Sequence, residues 1–533
     1  QKDDKNGNVT MFDYDAANRV VTKTDPEGNV FQYEYYADGK LKNEIYTIYS
    51  TLVTIHYDYN ALGYPETRTI GYGSGDTRVF QYRYDALGRL VKTIYPKGNY
   101  ETIEYDNNSN TRYTRSFDSS DVQLRQVKFI YYADSRNLLQ KKITDDGKDG
   151  SGDGYVYEYD APGRILRETD PVGNHVDYKY NSVGNLVTQT DGAGNITQHF
   201  YDLAGKRVKT IDVAGNATTT TYDNNGNPLK VTDREGNATT AFYDAMNRRI
   251  GVMDALWNTT TIDYDANGNL IGLTDPNNGS TLYEYDGNNR QTKLTRPEGQ
   301  RTLFYYDPVG NRTGVSDAKG QRITYEYDQF GQLGVTRNYD NTGNTDPVKT
   351  VNFGYDDNGN LTSYDDSTTS ATYTYDDLNR KTGEAINYGT FTKDLSYSYP
   401  NNWEQTFTGP DNVTQTHKYD AAGRLNTITI PGQGDVAYNT YEWNSPTKIT
   451  LPGGSSTNYT YDALRQVKAI TAVDPGSADI MTRNYVYTAE GNITTKDTEH
   501  GTYTYTYDEL HRLTDAVNPT VTDETYTYDN LGN

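Results

Sequence analysis

Residues 157–174 read YEYDAPGRILRETDPVGN, and the two turns written into this stretch decide the fold. The first is Asp160-Ala161-Pro162-Gly163 and the second is Asp170-Pro171-Val172-Gly173-Asn174. Asp at the first position and Gly at the fourth suit a type I turn, and Pro at the second fits it further. The Gly takes a positive φ and forms the bulge that matches turn twist to strand twist. About six residues separate one turn from the next, an ordinary strand length. The stretch therefore predicts a β-hairpin that runs straight into another.

The pattern extends outward at fixed spacing. Tyr159, Tyr180, Tyr201, Tyr222, Tyr243, Tyr264, Tyr285, Tyr306 and Tyr327 lie 21 residues apart, each followed by Asp except Tyr180, where Asn181 stands in. The signature is Tyr159, Asp160 and Gly163, then Tyr201, Asp202 and Gly205, then Tyr222, Asp223 and Gly226, then Tyr264, Asp265 and Gly268. Fixed-period self-similarity of this kind marks a repeat array. The most regular block is 155–330. In the flanks, 1–154 and 331–533, the spacing is irregular but the signal persists from Tyr14 to Tyr528, giving about 24 copies, some degenerate (Tyr36-Ala37, Trp443-Asn444). The expected fold is all-β: one array over 1–533, a continuous antiparallel meander of hairpins with almost no helix.

Alternation says what the meander must do next. Leu229 and Val231, Ile250 and Val252, and Ile271 and Leu273 are separated by Lys230, Gly251 and Gly272, and Tyr283 and Tyr285 flank Glu284. Period two predicts one apolar face and one wet face. Forty-eight strands at about 4.8 Å make a strip roughly 230 Å long and, at ~3.4 Å per residue, roughly 20 Å wide. Because sheets twist and the apolar face cannot stay in water, the strip must coil, pack or wrap. Closed as a sphere it has a radius near ~19 Å, barely enough for a folded cargo domain, so the chain reads as a section of a longer wall.

Composition narrows the partners. The formal net charge of −23 argues against nucleic acid, and no apolar run reaches the roughly 20 residues of a membrane helix. There is no Cys, so disulfides and thiolate metal sites are excluded. Fifty-three Tyr supply the buried area that a hydrophobic content of 34% does not.

Tyr-Asp, Gly, Asn or Arg, an apolar pair and then Asp-Pro-x-Gly-Asn resembles the YD repeat of Rhs proteins, of the C components of insecticidal toxin complexes and of teneurins. Residues 157–174 and the YDALGR of Tyr84–Arg89 carry the resemblance, which covers essentially the whole chain. It implies a strip spiralled into a hollow β-shell or tube, secreted or displayed on a cell surface, in bacteria commonly around a C-terminal toxin. The self-cleaving aspartyl segment of toxin-carrying relatives is not matched, and the Asp-Pro pairs sit mostly at ordinary turns.

No catalytic constellation stands out. The six His, at 56, 175, 199, 417, 500 and 511, form no metal-ligand spacing, and no nucleophile elbow occurs. One loop differs: Asp149, Ser151 and Asp153 form the first half of a calcium-loop pattern with Asp160 at the twelfth position, where Glu is expected. These four are the metal candidates, against the reading of a solvated acidic hairpin insertion; calcium is the sole cofactor considered. Tyr-rich walls also offer platforms for glycans. The sequence thus predicts a non-enzymatic wall that encapsulates or scaffolds a polypeptide. The alternative is an extracellular tubular filament or adhesive scaffold, joined to further copies of itself.

Overall fold

The computed structural model describes residues 1–48, 51–134, 136–145, 153–341 and 343–533. These form 48 strands and no helix. Each strand pairs antiparallel with the one before and the one after, as in Gly154–Tyr159 with Ile165–Thr169 and Ile165–Thr169 with His175–Tyr180. The meander is therefore unbroken, and the ladder does not close into a barrel.

Register shows why the strip keeps its faces. In each Tyr-Asp hairpin the pairing slips by one residue at the Tyr, for instance between Glu284 and Tyr285. That bulge absorbs the extra residue of the turn and restores the alternation. Tyr283 then lies opposite Leu294, and Ile262 opposite Leu273, on one face. Glu284 lies opposite Lys293 on the other, with a 2.6 Å ion pair. This second face is not uniformly wet, contrary to the simple alternation. Phe242 lies opposite Gly251 and Tyr305 opposite Gly314. A Cβ on either glycine would sit 3.2 Å from the facing ring, so these mid-strand glycines make room for an aromatic laid across the neighbouring strand.

The strip coils once every two dozen strands. The turn after the first strand, Lys2–Asp3, meets the turn after the twenty-fourth, Thr259–Tyr264, through Asn6 and Asp265. The turn after the twenty-first, Pro228–Thr232, meets those after the forty-fourth and forty-sixth through Arg234 and Asp233. The offset is nearly constant from one end to the other, so the strip forms a two-turn tube rather than a sphere. About 24 strands at ~4.8 Å give a circumference of about 115 Å, a radius of about 18 Å to the midplane and about 13 Å inside a ~10 Å layer.

Such a wall has little core. Its accessible surface is 29187 Å², against about 19,400 Å² for a compact chain of ~60 kDa. The excess is what a single layer wetted on both faces must show. The long hairpin of Leu41–Ile48 and Thr51–Tyr59 buries Ile48, Val53 and Ile55, with Val53 fully buried. Ile48 and Thr51 face Glu326–Gln329 of the second turn of the spiral across a cavity of about 400 Å³.

Candidate functional surface: the turn ladder and the seam

The repeat is held by a relay of polar groups that starts at the Asp of each Tyr-Asp pair. At Asp286 the backbone N–H groups of Asn288 and Arg290 donate to Oδ1 at 3.0 and 2.8 Å, and the Arg290 Nε donates to Oδ2 at 2.6 Å. The same guanidinium reaches the carbonyl of Asp307 in the next repeat at 2.8 Å and stacks 4.9 Å over the ring of Tyr306. The Tyr306 hydroxyl then donates back to the carbonyl of Gln291 at 2.8 Å. One repeat is thereby stapled to the next at its edge. The hydroxyl is the reason for Tyr over Phe: without it a carbonyl beside the bulge loses its partner.

The signature residues take these places. Tyr201, Tyr222 and Tyr264 donate to the carbonyls of Leu186, Arg207 and Arg249. Asp160 accepts from the Arg164 N–H and pairs with its guanidinium at 2.6 Å, while Tyr159 meets Tyr132 edge-on at 6.1 Å. Asp202 accepts from Lys206, Asp223 from Asn225 and Asn227, and Asp265 from Asn269. Gly163, Gly205, Gly226 and Gly268 all have φ near +90°. At Asn181 the amide oxygen replaces the carboxylate, accepting from Val183 and Asn185.

Electrostatics follow from these bonds. The Arg19 side chain, with its backbone N–H, holds Asp15 below the usual carboxylate range. Burial raises Tyr159, Tyr180, Tyr285 and Tyr327, and burial with Glu101 beside it pushes Tyr95 up to about 12.

The seam between the two spiral turns joins unlike edges. Turns of the Asp-x-x-Gly-Asn class in the first meet Tyr-Asp turns in the second. Asn267 donates to Asp4, Asn288 to Asp25 and Asn358 to Asn99, at 2.6, 2.7 and 3.0 Å. Further along, Lys97 pairs with Asp356, and Arg78 lies 3.9 Å over Phe330. Arg465 pairs with Asp191, and His511 lies 2.9 Å from Asp233. Reciprocal caps occur at one point: Glu490 accepts the Arg234 N–H, and Glu235 accepts the Glu490 N–H. No spacing rule in the sequence pairs residues some 260 positions apart, and this seam is what sequence reasoning missed.

Between Glu101–Pro171 and Leu378–Gly423 the seam opens into a cavity of about 500 Å³ lined by Arg125, Lys142, Asp153, Tyr155 and Trp403 among others. Of the calcium candidates, Asp149 and Ser151 lie outside the described residues, Asp153 lines this opening, and Asp160 is committed to Arg164. Among the described residues, no three His, Asp or Glu converge as a metal site.

Three segments, 180–217, 264–301 and 306–345, match the RHS Repeat family. No curated protein matches the chain. Among solved structures the chain is similar to the crystal structure of TcdB2-TccC3, with a TM-score of 0.54 and 15% identity over 95% of this chain and 30% of that one. It is likewise similar to TcdB2-TccC3-Cdc42, with a TM-score of 0.51 and 16% identity over 94% of this chain and 32% of that one. The chain spans about a third of the length of these structures, and at this identity the likeness is one of fold.

Proposed function

We propose that this chain, a YD-type RHS-repeat protein, is a structural wall: a section of hollow β-shell that shields a polypeptide held in its bore. The observation that carries the reading is the seam, which locks the strip to itself after about two dozen strands and so fixes a bore instead of a packed core. The bore sets the cargo. A compact 100-residue domain has an outer radius near ~17 Å, more than the about 13 Å available, whereas an extended segment or a single helix of ~10–12 Å diameter fits. The wall therefore suits a polypeptide threaded in an unfolded or partly folded form, such as the C-terminal toxin that the family resemblance implies. Its role is mechanical rather than catalytic, exercised by a secreted or surface-displayed bacterial protein.

Electron microscopy of the purified chain tests the wall. The expected end view is a ring roughly 46 Å across with an empty centre; a filled globule or a straight ribbon would sink the reading. Containment is tested separately by fusing an unstructured 30-residue peptide after Asn533. Protease should spare the peptide in the intact tube and remove it after the wall is unfolded in urea. Equal cleavage in both states would remove the cargo and leave the wall.

A further inference from the structure

On both sides of the larger seam cavity the chain departs from its own repeat. At Tyr399 the copy reads Tyr399-Pro400-Asn401-Asn402-Trp403, with no Asp after the Tyr and no Gly in the turn. The turn is clipped short, with Asn401 paired to Glu404. Trp403 is fixed there: its N–H donates to the Asn401 side chain and its carbonyl accepts from the Tyr419 N–H, both at 2.8 Å. Across the cavity the first spiral turn sets charges on the face that carries Tyr157 and Tyr159. Lys142 lies opposite Tyr155, and Glu101 and Arg125 flank Ser116 from either side. Among the described residues, Arg125 and Lys142 form no ion pair. Among the same residues the seam bonds lapse here: none spans the two spiral turns between the bond of Asn99 to Asp377 and that of Arg465 to Asp191.

We propose that this cavity binds a sugar acid, a pyranose ring bearing a carboxylate. Its volume of about 500 Å³ falls within the ~300–1,000 Å³ of small-molecule sites. Arg125 and Lys142 supply the charged donors that a carboxylate takes. Glu101 and Asp153 line the same cavity and only accept, so they match ring hydroxyls and disfavour a second anionic group. One Glu101 oxygen already takes the Tyr95 hydroxyl at 3.2 Å, which leaves the other for the ligand. Trp403 and Tyr155 offer flat apolar surfaces to the C–H face of the ring. A bare anion would leave both carboxylates and both aromatic rings unused, and a neutral sugar would leave both cations unpaired. The site needs the two spiral turns together, since the cations come from the first and Trp403 from the second. The inference rests on the seam and not on any enclosed cargo; its failure leaves the wall untouched.

Ligand-observed NMR titration of the full chain tests it, with methyl glucuronide as the probe and methyl glucoside and acetate as controls. Glucuronide should bind about tenfold tighter than glucoside or more, the worth of one charge-assisted hydrogen bond. Arg125→Ala with Lys142→Ala should remove that preference, and Trp403→Ala should weaken both sugars alike. Arg125 and Lys142 are exposed, so the double variant keeps its fold, and circular dichroism checks the sheet in each variant. A wild type that does not bind glucuronide overturns the proposal. So does acetate bound as tightly as glucuronide, which would mark a simple anion site. A preference for glucuronide that survives the double variant overturns it too, whatever Trp403→Ala does to the fold.

Discussion

Asp25 accepts a hydrogen bond of 2.7 Å from the side-chain amide of Asn288, 263 residues further along the chain. The same carboxylate takes the N–H groups of Glu27 and Asn29 within its own turn. One side chain therefore shapes a hairpin and joins the two turns of the spiral. Asn288→Ala should cost about 1.5–3 kcal/mol, the range for a bond to a charged group. Hydrogen exchange should quicken at residues 25–29 and 286–290 while the neighbouring strand ladder keeps its protection. Uniform acceleration along the chain would show that the seam is not a separate unit.

Tyr201→Phe removes only the hydroxyl that donates 2.8 Å to the Leu186 carbonyl. The ring keeps its place, so the expected loss is about 1 kcal/mol from one unpaired carbonyl. Combining it with Tyr222→Phe and Tyr243→Phe should roughly triple the loss, because neighbouring repeats use separate carbonyls. A urea midpoint unchanged in the triple variant would show that water satisfies these carbonyls equally well.

Trp257 has φ +68° at the turn position that Gly fills in most repeats, and its side chain is largely exposed. The left-handed region costs a non-glycine residue about 1–2 kcal/mol. Trp257→Gly should therefore raise stability by about 1 kcal/mol, read as a higher thermal or urea midpoint. A drop would mean that the indole holds something through its exposed face.

Asp25, Asp191 and Asp356 lie on the seam, and each is held below the usual carboxylate range. Burial alone would raise them, but hydrogen bonds outweigh it: Asn29 and Asn288 on Asp25, Asn195 and Arg465 on Asp191, Asn360 and Lys97 on Asp356. A carboxylate depressed by folding stabilises above its unfolded value near ~4, and that contribution is lost as pH falls through the lower folded value. Urea midpoints should be level from pH 7 to 5 and fall between pH 4 and 3. Asp25→Asn should flatten the acid limb. A midpoint the same at pH 5 and pH 3 would contradict the assignment.

Much of the strip was legible because its determinants are local. A turn spelled Asp-x-x-Gly fixes its own bulge, and a bulge at Tyr285 or Tyr306 fixes the face of every residue up to the next turn. The hydroxyl bonds were missed because their acceptors are main-chain carbonyls, which leave no mark in the sequence. Gly251 reads as a polar-face spacer until its partner Phe242 is seen lying over it, as Tyr305 lies over Gly314 in a later repeat. The seam was illegible for a deeper reason. Leu87 and Leu464 stand in nearly the same five-residue motif, yet one is bare and the other covered, and only the curvature accumulated over dozens of strands decides which.

The split between a local ladder and a distant seam also orders events in time. Every strand pairs with a sequence neighbour across a short turn, so the ribbon can form progressively as the chain leaves the ribosome, with little loop entropy at each step. The seam cannot begin until a second lap of strands exists to reach back. Its first bond closes a loop of some 260 residues; each later one closes almost none, because the adjoining strands are already held. Closure should therefore behave as a zipper with one slow initiating event, leaving a late window in which the ribbon is complete but the lumen still lies open along its side.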